Sequence, residues 1–311
     1  MTTPDRRPLA IGGLRRLAPA TALLLAFAAG PAEGADPAAM ARLVERWAPA
    51  VVSIEAVLEA EVRMGGEARE EEARVRFVGA VVDPSGLIMI LNSRISSNRL
   101  TEMLALAGGG HGGGEGGLGV TVTPVSFLVT FAGSDERRAA FLAATDSQLD
   151  LAFLQLEEPP AEPLPAVDLA AAGTPALGQE VYVVSRLNPA FDRAPYYSSV
   201  EVVGEVTHPR RAWVLQGDLS ALGLPAFDAA GRPVGVLSTV VSSLASEPRG
   251  GVPGLGNFLG EADKTTGPLA VLLLPAPPVA RAVALSKERA AALAAERRAA
   301  REEGREEGTP Y

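Results

Sequence analysis

The sequence predicts an all-β fold, and two patterns carry the prediction. Apolar runs at 78–82 and 87–91 flank the turn Asp83-Pro84-Ser85-Gly86, which marks a hairpin. Further along, β-branched runs around Glu180–Ser185, Ser199–Thr207, Ala212–Gln216, Val234–Val241 and Leu269–Leu274 are each bounded by Gly, Pro or Asn. With 311 residues, 47% hydrophobic and 21% charged, the chain can bury one large core or two modest ones.

The chain opens like a secretory leader. Arg6-Arg7 and Arg15-Arg16 form a basic region, Leu17 to Ala29 an apolar one, and Ala32-Glu33-Gly34 places small residues before Ala35, so 1–34 reads as a signal peptide. The two arginine pairs admit both twin-arginine and Sec export. An uncleaved signal acting as a membrane anchor is the alternative, although the apolar stretch is short of the ~20 residues that span a bilayer. Export predicts a periplasmic or secreted protein.

Met40 to Trp47 then reads as a short amphipathic helix, and Pro49-Ala50-Val51-Val52-Ser53-Ile54 opens the first strand. The charged stretch 59–76 reads as a surface hairpin. Residues 108–119 contain nine glycines in twelve positions and so little side chain that a mobile surface loop is expected. Strand patterns resume at Ser126–Phe131 and within Ala144–Leu156, and the Pro- and Ala-rich segment 159–175 reads as a connection. A helix is expected from about Pro278. Its charged Ala/Arg/Glu part, 286–311, is either a solvated tail or a docking or oligomerisation helix, because its apolar face is mostly alanine.

Composition removes several classes of function. A net charge of −9 does not suit nucleic acid. Without cysteine there are no disulfides or thiolate ligands, and the two histidines, His111 and His208, leave little to hold a metal. No cofactor motif is present.

One stretch carries a resemblance. Gln216-Gly217-Asp218 precedes Ser220-Ala221-Leu222-Gly223-Leu224-Pro225, and Ala226-Phe227-Asp228-Ala229-Ala230-Gly231-Arg232-Pro233-Val234-Gly235-Val236 follows. This resembles the nucleophile region of the HtrA/DegP family of trypsin-like serine proteases. The segment from Val78 to Ser93 is similar to the strand pair that ends on the family's catalytic histidine. Asp146-Ser147-Gln148-Leu149-Asp150-Leu151-Ala152 is similar to its triad-acid motif, and Leu177–Tyr182 and Val271–Pro275 to later segments. The resemblance implies a double β-barrel, two six-stranded Greek-key barrels over 35–285. The segment after Pro278 is too short for the family's PDZ domain.

The departures from the family pattern bear on chemistry. Ser93 stands where the histidine belongs and Leu222 where the serine belongs, which leaves Asp150 as the one triad member. Ser220, Ala221 and Gly223 occupy the oxyanion-loop positions, with Ser220 where the family has glycine. Asp150 also reads simply as a carboxylate capping N–H groups at a barrel junction. His111 sits in glycine surroundings that hold nothing at hydrogen-bond reach, and Ser220 has no base in sequence, since neither Lys264 nor Lys287 lies in a Ser-Lys motif. Three readings remain open. The first is an inactive pseudoprotease that binds peptides or partner proteins in the cell envelope; the others are a divergent active serine endopeptidase and a regulatory subunit of active paralogues. A polypeptide partner is expected, with self-association or assembly with paralogues as further options, and no metal or nucleic acid.

Overall fold

The computed structural model describes residues 36–64, 67–96, 119–208, 210–217, 221–239 and 271–307. Residues 1–34, read above as a signal peptide, the glycine-rich segment up to residue 118 with His111, and the residues Ser220 and Lys264 lie outside the described residues.

Strands β1 (Val51–Met64), β2 (Glu67–Asp83), β3 (Leu87–Leu91), β4 (Gly119–Thr130), β5 (Arg137–Asp146) and β6 (Leu151–Leu156) close into one antiparallel barrel in the order β1-β2-β3-β6-β5-β4. Strands β7 (Glu180–Arg186), β8 (Pro195–Val206), β9 (Ala212–Gly217), β10 (Pro225–Phe227), β11 (Pro233–Thr239) and β12 (Val271–Pro275) close the second. Its order, β7-β8-β9-β12-β11-β10, is that of the first barrel shifted by six strands. This is the double barrel expected. Strands β5 and β10 had no clear signature in sequence; β10 is three residues long.

The 78–91 hairpin forms as read, with Ala80 opposite Met89 and Val81 opposite Ile88. Gly86 turns it at φ +92, and an added Cβ there would lie 2.7 Å from the Leu156 side chain, so both backbone and packing demand glycine. Strand β3 is an unbroken apolar run because both its faces are buried. Ile88 and Ile90 fill the first barrel with Val52, Ile54 and Leu154. Leu87 and Met89 join a second cluster, continuous with Val183, Val236 and Leu273 of the other barrel. Period-two alternation thus splits one strand between a barrel interior and the seam between barrels.

Helix α1 (Pro37–Trp47) starts at Asp36, whose carboxylate accepts from the Ala38 N–H at 3.0 Å. Met40, Leu43 and Trp47 share its buried face. Although α1 leads directly into the first barrel, Trp47 packs on the second. Its ring stacks on Phe227 at 4.9 Å, and its indole N–H donates to the Gly231 carbonyl at 2.9 Å.

Helix α2 (Ala276–Glu307) starts two residues before Pro278, and contacts as far as Arg301 fasten it to the rest of the structure. Ala276, Val279 and Ala290 are buried, with Val283 and Leu293 packed beside them. Lys287 Nζ donates to Asp83 Oδ2 at 2.6 Å, while Arg297 (2.8 Å) and Arg301 both reach the Glu157 carboxylate. The Arg297 guanidinium also lies 5.0 Å from the Phe141 ring centroid. An alanine face is thin, so charge and cation–π contacts to the first barrel supply what apolar area does not.

Burial works to raise the pKa values of Asp83 and Glu157. The hydrogen bonds from Lys287 and Ser85 to Asp83, and from Arg301 and Arg297 to Glu157, outweigh it and hold both carboxyls below their usual values. A depressed folded pKa gives stability that is full above the unfolded value and disappears as pH falls through the folded one. The double variant Asp83→Asn/Glu157→Gln is therefore expected to melt below the parent at pH 7, with the gap closing as pH drops below about 4. Parallel Tm-against-pH curves would show that these pairs do not hold the helix.

Candidate functional site at the barrel junction

Three turns meet where the barrels join. Strand β3 ends in a single 3-10 turn, Asn92–Arg94. The β5–β6 turn ends on Asp150, a non-glycine residue at φ +53, a region that aspartate tolerates better than most side chains. The segment 221–224 leads into β10.

Hydrogen bonds tie these turns together. The Asn92 N–H donates to the Asp150 carbonyl at 2.9 Å, and the Ser93 N–H donates to Asp150 Oδ1 at 2.8 Å. From the second barrel, the buried Ser238 hydroxyl donates to the Leu149 carbonyl at 3.1 Å. The Gly223 N–H donates to the Leu237 carbonyl at 2.7 Å. Gly223 sits at φ +86, and a Cβ added to it would lie 2.9 Å from the backbone nitrogen of Leu91. The 221–224 segment therefore lies against the end of β3, two residues before Ser93.

The structure brings Ser93 and Asp150 into direct contact through a backbone donor. Ala221 is fully buried, and Leu222 is half-buried and faces a cleft between the barrels. A hydrolytic triad needs an imidazole that takes the nucleophile's proton and a hydroxyl or thiol that gives it. Neither Leu222 nor the Asp150–Ser93 pair supplies that couple. His208 lies exposed at the β8–β9 turn, its Nδ1 3.0 Å from Thr207 Oγ1. Among the described residues no imidazole lines the cleft, and no group of three metal-ligating side chains occurs.

The cleft encloses about 320 Å³ and is strongly basic. Its walls carry Arg76, Arg94, Arg137, Arg186 and Arg193 against a single carboxylate, Glu55. Arg76 donates to Glu55 Oε2 at 2.8 Å, and Arg137 approaches Oε1 at 3.7 Å. The Arg76 hydrogen bond holds the Glu55 carboxyl below its usual range, with burial opposing and the Arg76, Arg137 and Arg74 charges adding to it. Arg193 pairs at 3.1 Å with Asp135, whose side chain is 97% exposed. Between these charges lie the apolar residues Phe77, Leu128 and Leu222. Sequence reasoning missed this array because the arginines come from separate strands and turns; only the Arg74-Val75-Arg76-Phe77 alternation on β2 hinted at one charged face.

The model of the trypsin-like peptidase domain matches residues 92–236, from the turn that carries Ser93 to strand β11. A solved structure similar to this trypsin-like fold is the MamO protease domain from Magnetospirillum magneticum in its apo form. It is 16% identical, with a TM-score of 0.42 over 75% of this chain and 95% of that one. No curated protein matches.

Gly223 packs closely against the backbone at the end of β3. Gly223→Ala combines a left-handed backbone with a backbone clash and is expected to cost about 1–3 kcal/mol. Denaturant melts check this; a change within the ~0.5 kcal/mol typical of neutral surface substitutions would show that the segment relaxes freely.

Proposed function

We propose that this trypsin-like domain binds extended polypeptide between its barrels without hydrolysing it, in the cell envelope. The observation that carries the reading is Leu222, an aliphatic side chain at the position that the family resemblance gives to the nucleophile, lining the cleft. Asp150, meanwhile, has its carboxylate on the Ser93 backbone. A nucleophile must be both present and activated; Leu222 has no atom to activate, and among the described residues no imidazole lines the cleft to activate another.

The cleft also offers a backbone edge. Among the described residues β2 pairs with β1 along its length but with β3 only at Ala80–Asp83, so the stretch that includes Arg76–Val78 borders the cleft with one side unpaired. An extended peptide can add there as a further strand, with its side chains alternating between the cleft and solvent. The basic and apolar leader supports placement in the envelope, and N-terminal sequencing of protein recovered from that compartment is expected to start near Ala35.

The purified protein is expected to leave casein uncut and resist a fluorophosphonate probe, while binding carboxymethylated, unfolded α-lactalbumin saturably. Labelling of a single serine that heat denaturation abolishes, at Ser53 or Ser185 in the cleft wall for instance, would overturn the reading in favour of a divergent endopeptidase.

A further inference from the structure

We propose that the cleft selects acidic polypeptide segments, with Arg137 and Arg193 as the side chains that receive the ligand's carboxylates. The inference rests on the polypeptide-binding reading above and specifies its ligand.

The first ground is charge. In a chain of net charge −9, the cleft gathers five guanidinium groups around one carboxylate. A concave site lined by one sign of charge, with apolar walls, concentrates the field and attracts the opposite sign. The second ground is donor capacity. The two oxygens of Glu55 are divided between Arg76 and Arg137, and the Arg137 contact, at 3.7 Å, is an ion pair outside hydrogen-bond length. An arginine has five N–H donors in a fork that fits a carboxylate. Arg137, 54% exposed, therefore presents donors to an incoming acid.

The third ground is that this chain's own acids already make the interaction at the rim. Arg193 holds Asp135 at 3.1 Å, yet Asp135 is almost fully exposed, and such a surface pair contributes little. A ligand carboxylate entering a more enclosed position can displace it at small cost. The Nε of Arg193, buried and without a hydrogen-bond partner, shows that the chain does not fully satisfy this guanidinium. The apolar wall of Phe77, Leu128 and Leu222 favours a peptide, which can alternate acidic and apolar side chains, over a uniformly polar polyanion.

The test uses fluorescein-labelled peptides of one length and one Leu/Val/Ser frame, with the remaining positions all Glu, all Gln or all Lys. Their binding to the purified protein is followed by anisotropy at two salt concentrations. The Glu peptide is expected to bind about tenfold or more tightly than the Gln peptide, to weaken with added salt, and to leave the Lys peptide behind both. Arg137→Gln and Arg193→Gln should each reduce Glu-peptide affinity several-fold with little change for the Gln peptide, and Arg137→Lys should retain part of it. Equal binding of Glu and Gln peptides would overturn the acidic preference and leave polypeptide binding standing. Failure of all three peptides and of the unfolded protein would sink both. Glu-peptide affinity unchanged in the arginine variants would place the site elsewhere and overturn the assignment, as would stronger competition by polyphosphate than by unlabelled Glu peptide. Thermal melts of each variant guard against unfolding. Arg193 carries a buried atom, so the exposed Arg137 variants decide the outcome if Arg193→Gln does not fold.

Discussion

The cleft depends on how Arg186 is held. Its Nε donates to the Val51 carbonyl at 2.8 Å and one Nη to the Ala48 carbonyl at 2.6 Å, both at the entrance to the first barrel. The other Nη donates to the Arg193 carbonyl at 3.0 Å, in the β7–β8 turn of the second. One planar cation thus spans both barrels and the turn that carries Arg193. Burial pulls its pKa down, but the guanidinium keeps its charge at any physiological pH, so its charge is balanced by carbonyl dipoles and adds to the positive field of the cleft. A lysine has no planar fork and could not hold three divergent carbonyls in the same way.

The seam shows how Asp150 is satisfied by backbone donors at the barrel junction. The carboxylate of Asp150 takes the Ser93 N–H, and its carbonyl takes the Asn92 N–H. Both bonds close the junction between β3 and the β5–β6 turn. Such a residue has a structural reason to stay aspartate whatever chemistry surrounds it, since an apolar replacement would leave the Ser93 N–H without this acceptor.

Local order was legible in the sequence; convergence was not. The 78–91 hairpin could be read because its turn chemistry and unbroken apolar run are contiguous, and Trp47 because it ends a helix whose buried positions recur at helical spacing. Strand β5, Arg137–Asp146, escaped because its alternation is blurred by alanines, and β10 because three residues show no period. The basic cleft escaped for a different reason. Arg76, Arg137 and Arg193 are separated by dozens of positions and meet only when the barrels close, and in sequence each looks like an ordinary surface charge. Docking of α2 was one of two readings of its sequence, but its partners Asp83 and Glu157 were hidden likewise, because they lie in a distant part of the chain.

The two helices exchange barrels. Helix α1 precedes the first barrel but lays Trp47 on Phe227 and Gly231 of the second, while α2 follows the second and fastens to Asp83, Phe141 and Glu157 of the first. A cut in the 159–175 connection would divide the chain at its most natural-looking boundary, and each half would then carry a helix deprived of contacts that it makes with the other. Neither piece is a self-sufficient folding unit in that arrangement. The borders of cooperative folding in this protein cross the borders of its barrels, and an engineer who wished to transplant one barrel alone would need to graft the other half's helix with it.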